Sequence, residues 1–251
     1  MTARSRVAVV LAAGRGTRLG SAKPKVLLEV AGRSLLEWVL EIGRDCGCER
    51  TIVVVGHGAR EIRDRFNDED VEWALQAEQL GTGHALAQVS ALLERDSLLL
   101  VLSGDAPLFR PQTARRLIEA ADSSWGAMAV ARLEEPGSLG RVEVGDEGEL
   151  IRCVEAVDAT STELAVQTVN TGFYALPAPS IFEYLERLRP ENVQGEIYLP
   201  DALNAAVQKG ERIACLEVDD KCEAWGVNDR EELERVAEEL RSRQRLELGT
   251  E

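Results

Sequence analysis

Val7-Ala8-Val9-Val10-Leu11-Ala12-Ala13-Gly14-Arg15-Gly16-Thr17-Arg18-Leu19, with Lys23-Pro24-Lys25 close behind, passes from an unbroken apolar run into small residues, glycines and cations. Apolar residues in a row without alternation read as a strand buried on both faces, which points to a parallel sheet covered on each side. The glycines that follow let a backbone approach a ligand closely and aim N–H groups at phosphate oxygens, while Arg18 and Lys25 supply the opposing charge. The loop suits a polyphosphate. Taken alone it also reads as an ordinary strand-to-helix turn: Leu19 stands where a dinucleotide fingerprint needs its third glycine, and no G-K-[ST] occurs.

Outward from that run, helical periodicity at 35–40 precedes an apolar strand at 51–55 that stops at Gly56. A helix over 59–66, a strand over 71–75, a helix over 82–93 and a strand over 97–102, halted by Gly104-Asp105, follow. Strands alternating with helices at this spacing imply right-handed βαβ units, hence a Rossmann-like α/β class with a mixed, mostly parallel sheet flanked by helices. Ligands of such sheets sit beyond the carboxyl ends of the strands, so the polar residues after Leu11, Leu75 and Leu102 are expected to share one crevice. Beyond about residue 125 the strands shorten (126–132, 141–144, 150–154) between glycine-rich and acidic turns, which predicts a smaller antiparallel lobe. Residues 1–228 read as one domain, and 229–251 as a charged helix that either docks on it or waits for a partner.

Acids outnumber bases 44 to 29, a net charge of -15, and this mean field argues against nucleic acid as a partner. An anionic substrate then needs a locally basic pocket, and residues 15–25 hold Arg15, Arg18, Lys23 and Lys25 without an acid. No apolar run approaches the ~20 residues that span a bilayer, and the first residues lead straight into a strand. No membrane partner and a cytoplasmic location are expected. Cys46, Cys48, Cys153, Cys215 and Cys222 form no C-x-x-C pair, and with His57 and His84 as the chain's histidines the reading is reduced, packing thiols rather than zinc.

The L-x-x-G-x-G-T-R signature of Leu11 to Arg18, with Pro24-Lys25 after it, resembles that of the sugar-1-phosphate nucleotidyltransferases. Within that superfamily, Gln76-Ala77-Glu78-Gln79-Leu80-Gly81-Thr82-Gly83-His84-Ala85 is similar to the base-recognition segment of the N-acetylglucosamine-1-phosphate uridylyltransferases. The likeness continues through Gly104-Asp105-Ala106-Pro107-Leu108, Gly140-Arg141, Glu155, Asn170-Thr171-Gly172, Gln194-Gly195-Glu196 and Gly226-Val227-Asn228-Asp229. It implies the nucleotide-diphospho-sugar transferase fold and the transfer of a uridylyl group from UTP to a sugar 1-phosphate.

The resemblance implies a nucleotide-binding set of Leu11, Ala12, Ala13, Gly14, Gly16, Thr17, Gln76, Gly81 and Thr82. The Gln76 amide and the Gly81 N–H suit the donor and acceptor edge of uracil. Gly140, Glu155 and Asn170 are implied for the sugar, and Arg18, Lys25 and Asp105 for catalysis. Asp105 alone reads equally as a turn residue, but with Asn228 it is implied to hold Mg²⁺, which prefers one or two protein oxygens beside substrate phosphates and water. His57 reads as a turn residue and His84 as a hydrogen bonder behind the site. No β-helix acetyltransferase segment of the kind that bifunctional members carry is present, so a monomer or dimer is expected rather than a trimer.

Several positions depart from the family pattern on the sugar side. Ser103, Leu139 and Ile197 stand where aromatic residues are usual, and Ala156-Val157 where a His-Lys pair is usual. Uridylyl transfer is therefore read more firmly than the acetamido sugar; another hexose 1-phosphate, another pyrimidine nucleotide, or a nucleotide-binding module without turnover stand as alternatives.

Overall fold

The computed structural model describes residues 4–21, 23–67, 70–93 and 96–248. The opening run is strand β1 (Ser5–Ala12), followed by the hairpin β2 (Glu29–Val30) and β3 (Arg33–Ser34) and helix α1 (Leu35–Asp45). Then come β4 (Arg50–Val55), α2 (Ala59–Arg65), β5 (Glu72–Leu75), α3 (Thr82–Ala87), β6 (Ser97–Ser103) and α4 (Pro111–Asp122). The second half holds β7 (Gly126–Arg132), β8 (Arg141–Val144), β9 (Leu150–Val154), α5 (Ser161–Leu164), β10 (Thr168–Ala178), α6 (Ser180–Leu185), α7 (Leu199–Gln208), β11 (Ile213–Glu217) and α8 (Arg230–Leu248).

The main sheet runs β11-β7-β10-β6-β1-β4-β5, with β8 and β9 attached beside β10. β1 lies parallel to β4 on one side and to β6 on the other, so the chain reverses its direction of sheet growth at β1, the arrangement that opens a crevice at the carboxyl ends. Alternate residues of the central strands enter two cores. Val10, Val53, Leu100 and Leu102 pack with Leu36, Val39 and Leu117 of α1 and α4 on one face. Val9, Ile52, Val54 and Val101 pack with Leu86, Ile181 and Leu203 of α3, α6 and α7 on the other. Burial on both faces is why these strands carry no polar alternation.

Helix α1 starts at a capping box: the Ser34 hydroxyl accepts from Glu37 N at 3.3 Å, and Glu37 Oε2 accepts from Ser34 N at 2.7 Å. The periodicity at 82–93 overreaches. α3 ends at Ala87 and a separate 3₁₀ turn covers Ser90–Leu92, with the Ser90 hydroxyl donating to Ala87 O at 2.9 Å and so competing for the helical acceptor. The antiparallel expectation holds for β8 and β9, which pair antiparallel. β10 also runs antiparallel to β6 and β7, while β11 returns parallel to β7, so much of the second half extends the main sheet.

Helix α8 docks. Val236, Ala237 and Leu240 are buried in a third cluster with Val30, Leu35, Leu108 and Val227. Arg243 ties its far end to the Leu108 carbonyl at 2.8 Å. No helix among the described residues is long and apolar enough to cross a membrane.

Candidate active site

The carboxyl ends of the parallel strands are stitched together. Gly104 N donates to Leu11 O at 3.0 Å, His57 N to Ala13 O at 3.3 Å, and Gln76 N to Val55 O at 2.8 Å. A side-chain carbon at Gly104 would lie 2.9 Å from Leu11 O, so the approach of β6 to β1 requires glycine. This brings the segments after Leu11, Leu75 and Leu102 to one edge, as their spacing predicts. His57 is the turn residue it reads as.

At that edge Lys25, Asp105 and Asn228 meet. The Lys25 ammonium pairs with Asp105 Oδ2 and donates to Asn228 Oδ1 at 2.9 Å. Ser103, which in sequence stands only where an aromatic is usual, donates its hydroxyl to Asp105 Oδ1 at 2.6 Å. Asn228 is held from both sides: Val227 N donates to Asp105 O at 3.0 Å, and Asn228 N donates to Glu232 Oε2 at 2.6 Å. Asp229 Oδ1 in turn accepts from Glu232 N at 2.9 Å at the start of α8. Burial pushes the Asp105 carboxyl up, but the Lys25 charge and the hydrogen bonds from Lys25 and Ser103 outweigh it and hold the group below its usual range. The donor chemistry fits a hard divalent ion: a carboxylate and an amide oxygen already gather round one positive charge, and phosphate oxygens and water would complete the shell.

The glycine-rich loop of residues 14–19 lies beside this cluster. Gly16 has φ +60, and a side-chain carbon there would stand 2.8 Å from Lys25 Cβ, so this glycine seats Lys25. Gly14 is exposed with nothing of the protein within 4 Å of such a carbon, which leaves its backbone open to a ligand. Ala12 and Ala13 are buried beneath, and Leu11 packs against the second core. Thr17 and Arg18 belong to the exposed 3₁₀ turn Thr17–Leu19. Of the four loop cations, Arg15 donates to Gln79 Oε1 at 3.2 Å and Lys23 pairs with Glu29 at 3.7 Å. Arg18 has no ion pair or hydrogen bond among the described residues and does not join Lys25.

After β5, Gln76 is buried and its Nε2 donates to Gly81 O at 3.0 Å and lies 3.1 Å from His84 Nδ1. With the nitrogen engaged, Oε1 is the group left to accept from a ligand. His84 thus acts behind the site, as read. Ile197 closes over this segment, its carbonyl accepting from Gly83 N at 2.8 Å and its N–H donating to Leu80 O at 2.8 Å. The Thr82 hydroxyl accepts from Leu199 N at 3.0 Å, at the start of α7.

β10 runs antiparallel to β6 with Tyr174 opposite Val101, so Asn170 falls beyond the carboxyl end of β6. There Asn170 N donates to Gly140 O at 2.9 Å. A carbon at Gly140 would lie 3.4 Å from Glu155 Oε2 and 3.6 Å from Asn170 Cβ, so Gly140, Glu155 and Asn170 converge as the resemblance implies. Tyr174, unread in the sequence, orients the Asn170 amide: its hydroxyl lies 2.7 Å from Nδ2 and 3.0 Å from Oδ1. Leu139 and Ile197 pack against the two main cores, and Val157 is exposed. A cavity of about 470 Å³ opens beside Glu155, with Asp158, Asn192, Tyr198 and Asp201 in its wall.

Burial pushes the Glu155 carboxyl up to about 7, and the charges of Asp201, Asp158 and Glu196 add to the rise. A folded value above the unfolded 4.5 means that folding takes up a proton here, so stability falls as pH climbs from the lower value through the higher. Glu155→Gln should therefore melt above the parent at about pH 8 and alongside it at about pH 4. Melting curves that differ by the same amount at both pH values would sink this assignment.

The five cysteines are free, and burial raises every thiol, Cys46 and Cys222 to about 11, which leaves them protonated packing groups. A second group of potential ligands among the described residues, Asp220, Cys222 and Glu239, is already neutralised. Arg110 donates to Asp220 Oδ2 at 2.6 Å, and Arg243 reaches Asp220 at 3.1 Å and Glu239 at 2.8 Å.

Among known proteins, the bifunctional protein GlmU of Geobacter metallireducens is 42% identical over 245 residues, 96% of this chain and 52% of the relative. That of Burkholderia multivorans is 43% identical over 232 residues, 91% and 51% respectively. The chain spans about half the length of these curated relatives. A solved UDP-glucose pyrophosphorylase complexed with UDP-glucose superposes with a TM-score of 0.79 at 22% identity, covering 95% of this chain and 99% of that one. The inositol-1-phosphate CTP transferase from T. maritima gives 0.68 at 22% identity, covering 86% and 87%. These likenesses establish the nucleotidyltransferase fold. The 14–19 loop, the 76–85 segment and the Lys25, Asp105 and Asn228 cluster all lie within residues 8–245, which match the model of the MobA-like NTP transferase domain, and the chain belongs to that family.

Proposed function

We propose that the chain transfers a uridylyl group from UTP to N-acetylglucosamine 1-phosphate and releases pyrophosphate. The observation that carries this reading is the meeting of Lys25, Asp105 and Asn228 beside the phosphate loop. A sugar 1-phosphate is already an anion at neutral pH, so the reaction needs no general base. Its phosphate oxygen attacks the α-phosphorus of UTP, the bond to the β-phosphate oxygen breaks, and that electron pair leaves with pyrophosphate. Catalysis of such a transfer is positioning and charge stabilisation.

Lys25 holds the α-phosphate, while Arg18 and the backbone N–H groups of the 14–16 loop take the departing pyrophosphate. Gln76 Oε1 and the Gly81 N–H read the uracil edge; Gly140, Glu155 and Asn170 hold the sugar. Asp105 and Asn228 would hold Mg²⁺, which supplies charge neutralisation at the phosphates. The reading places the reaction in the cytoplasm, in a monomer or dimer. Ser103, Leu139, Ile197 and Val157 lack the polar rings and charges usual around the sugar, which favours a different hexose 1-phosphate as the second reading.

A matrix of nucleoside triphosphates against sugar 1-phosphates, scored by pyrophosphate release, tests both. UTP with N-acetylglucosamine 1-phosphate should turn over fastest, and excess chelator should abolish turnover. Equal kcat/KM for glucose 1-phosphate would overturn the acetamido assignment, and UTP binding without pyrophosphate release would make the chain a binding module.

A further inference from the structure

We propose that Ser103 is a positioning residue for the metal-binding carboxylate: its hydroxyl locks Asp105 so that the other carboxylate oxygen faces the Lys25 ammonium that also meets Asn228, Asp105 and Asn228 being the pair that would hold the ion. The inference rests on the reading of Asp105 and Asn228 as metal ligands.

An aspartate at a strand end turns about two side-chain bonds, and a ligand oxygen that wanders loses affinity through the entropy of being held. Here the two oxygens have separate partners, Oδ1 taking the Ser103 hydroxyl at 2.6 Å and Oδ2 the Lys25 ammonium. The 2.6 Å distance is that of a charge-assisted O–H···O⁻ bond, stronger than one between neutral groups. Ser103 can hold this position because its own backbone is held: it ends β6 in register with Leu11, and Gly104 N bonds Leu11 O. The lock is thus anchored in the parallel ladder at the centre of the sheet, independently of Lys25, which must be free to meet phosphate. On its far side a carbon at Gly172 would stand 3.7 Å from Ser103 Cβ. Ser103 therefore lies between the Asp105 carboxylate and the 170–172 stretch of β10 on the sugar side. What reads in the sequence as the loss of a ring is, in the fold, the gain of a support for Asp105.

Removing such an outer hydrogen-bond partner of a ligand lowers metal affinity about 10- to 100-fold in other sites. Binding of Mn²⁺ alone to the full chain, followed by electron paramagnetic resonance of the free ion, is the measurement. Ser103→Ala should weaken Mn²⁺ binding by about 10-fold or more, Ser103→Thr should restore it to within about 3-fold of the parent, and thermal melting should confirm that both variants are folded. Restoration by threonine separates the hydroxyl from a packing effect. Ser103→Ala binding as tightly as the parent, or Ser103→Thr as weakly as Ser103→Ala, overturns this proposal alone. A parent whose Mn²⁺ binding survives Asp105→Asn overturns the metal reading and this proposal with it.

Discussion

Lys25→Ala lowers kcat by on the order of 10²-fold or more, the scale of removing one charge aimed at the transition state. Among the described residues Lys25 is the one loop cation that reaches Asp105 and Asn228, and the closeness of Gly16 to its Cβ fixes where its chain starts. A variant with unchanged kcat and a raised KM would instead place Lys25 in uniform binding. The same substitution leaves the Asp105 carboxyl without its counter-charge. In the parent Asp105 sits below its usual value, so its pairing stabilises the fold above the unfolded carboxylate range and that stability is lost as pH falls through the folded value. Without Lys25, burial is opposed only by the hydrogen bonds from Ser103 and the backbone, so this stabilisation shrinks. In metal-free buffer, the melting temperature of the parent should therefore exceed that of the variant by a margin that widens from acid to neutral pH. A margin independent of pH would show that the pair is not electrostatic.

Gly81→Ala should unfold the base side. Gly81 has φ 99 and ψ 174, a region open essentially to glycine, and a side-chain carbon there would stand 2.5 Å from the Ile197 carbonyl. Strain and clash together are expected to destabilise the chain by about 3 kcal/mol, or roughly 6–12 °C in Tm for a domain of this size. UTP affinity should fall at least about 10-fold because the Gly81 N–H and Gln76 move together. Gly14→Ala is the contrasting variant. Its added carbon meets nothing within 4 Å, so stability should change by no more than about 0.5 kcal/mol while the KM for UTP rises. A Gly14→Ala protein with the parent's KM would remove Gly14 from the nucleotide contact.

Some of this is legible in the sequence alone. The run from Val7 to Leu11 is apolar without alternation because both faces of β1 are covered, and such patterns are local. β10 is not legible: Asn170, Gly172 and Pro177 interrupt the strand period, and its pairing with β7 shifts register between Asn170 and Tyr174 before β6 joins from Tyr174 onward. The end of α3 carries no glycine or proline; there the backbone tightens, Gln88 N and Val89 N bonding carbonyls three residues back.

The candidate site divides in the same way. Its chemical inventory is a property of the sequence: the open glycines and cations of the 14–25 loop, the Gln76 amide, the Asp105 and Glu155 carboxylates, and the motif that ties them to one family. Backbone preference and hydrophobic period act over a few residues, so a chain displays them whether or not it is folded. The meeting of Lys25 with Asn228, 203 residues apart, the docking of α8, the lock from Ser103 to Asp105, and the rise of Glu155 to about 7 were decided only by the tertiary structure. Each depends on which groups packing brings within a few ångströms and on how much water it removes, and neither quantity is encoded in the neighbouring residues.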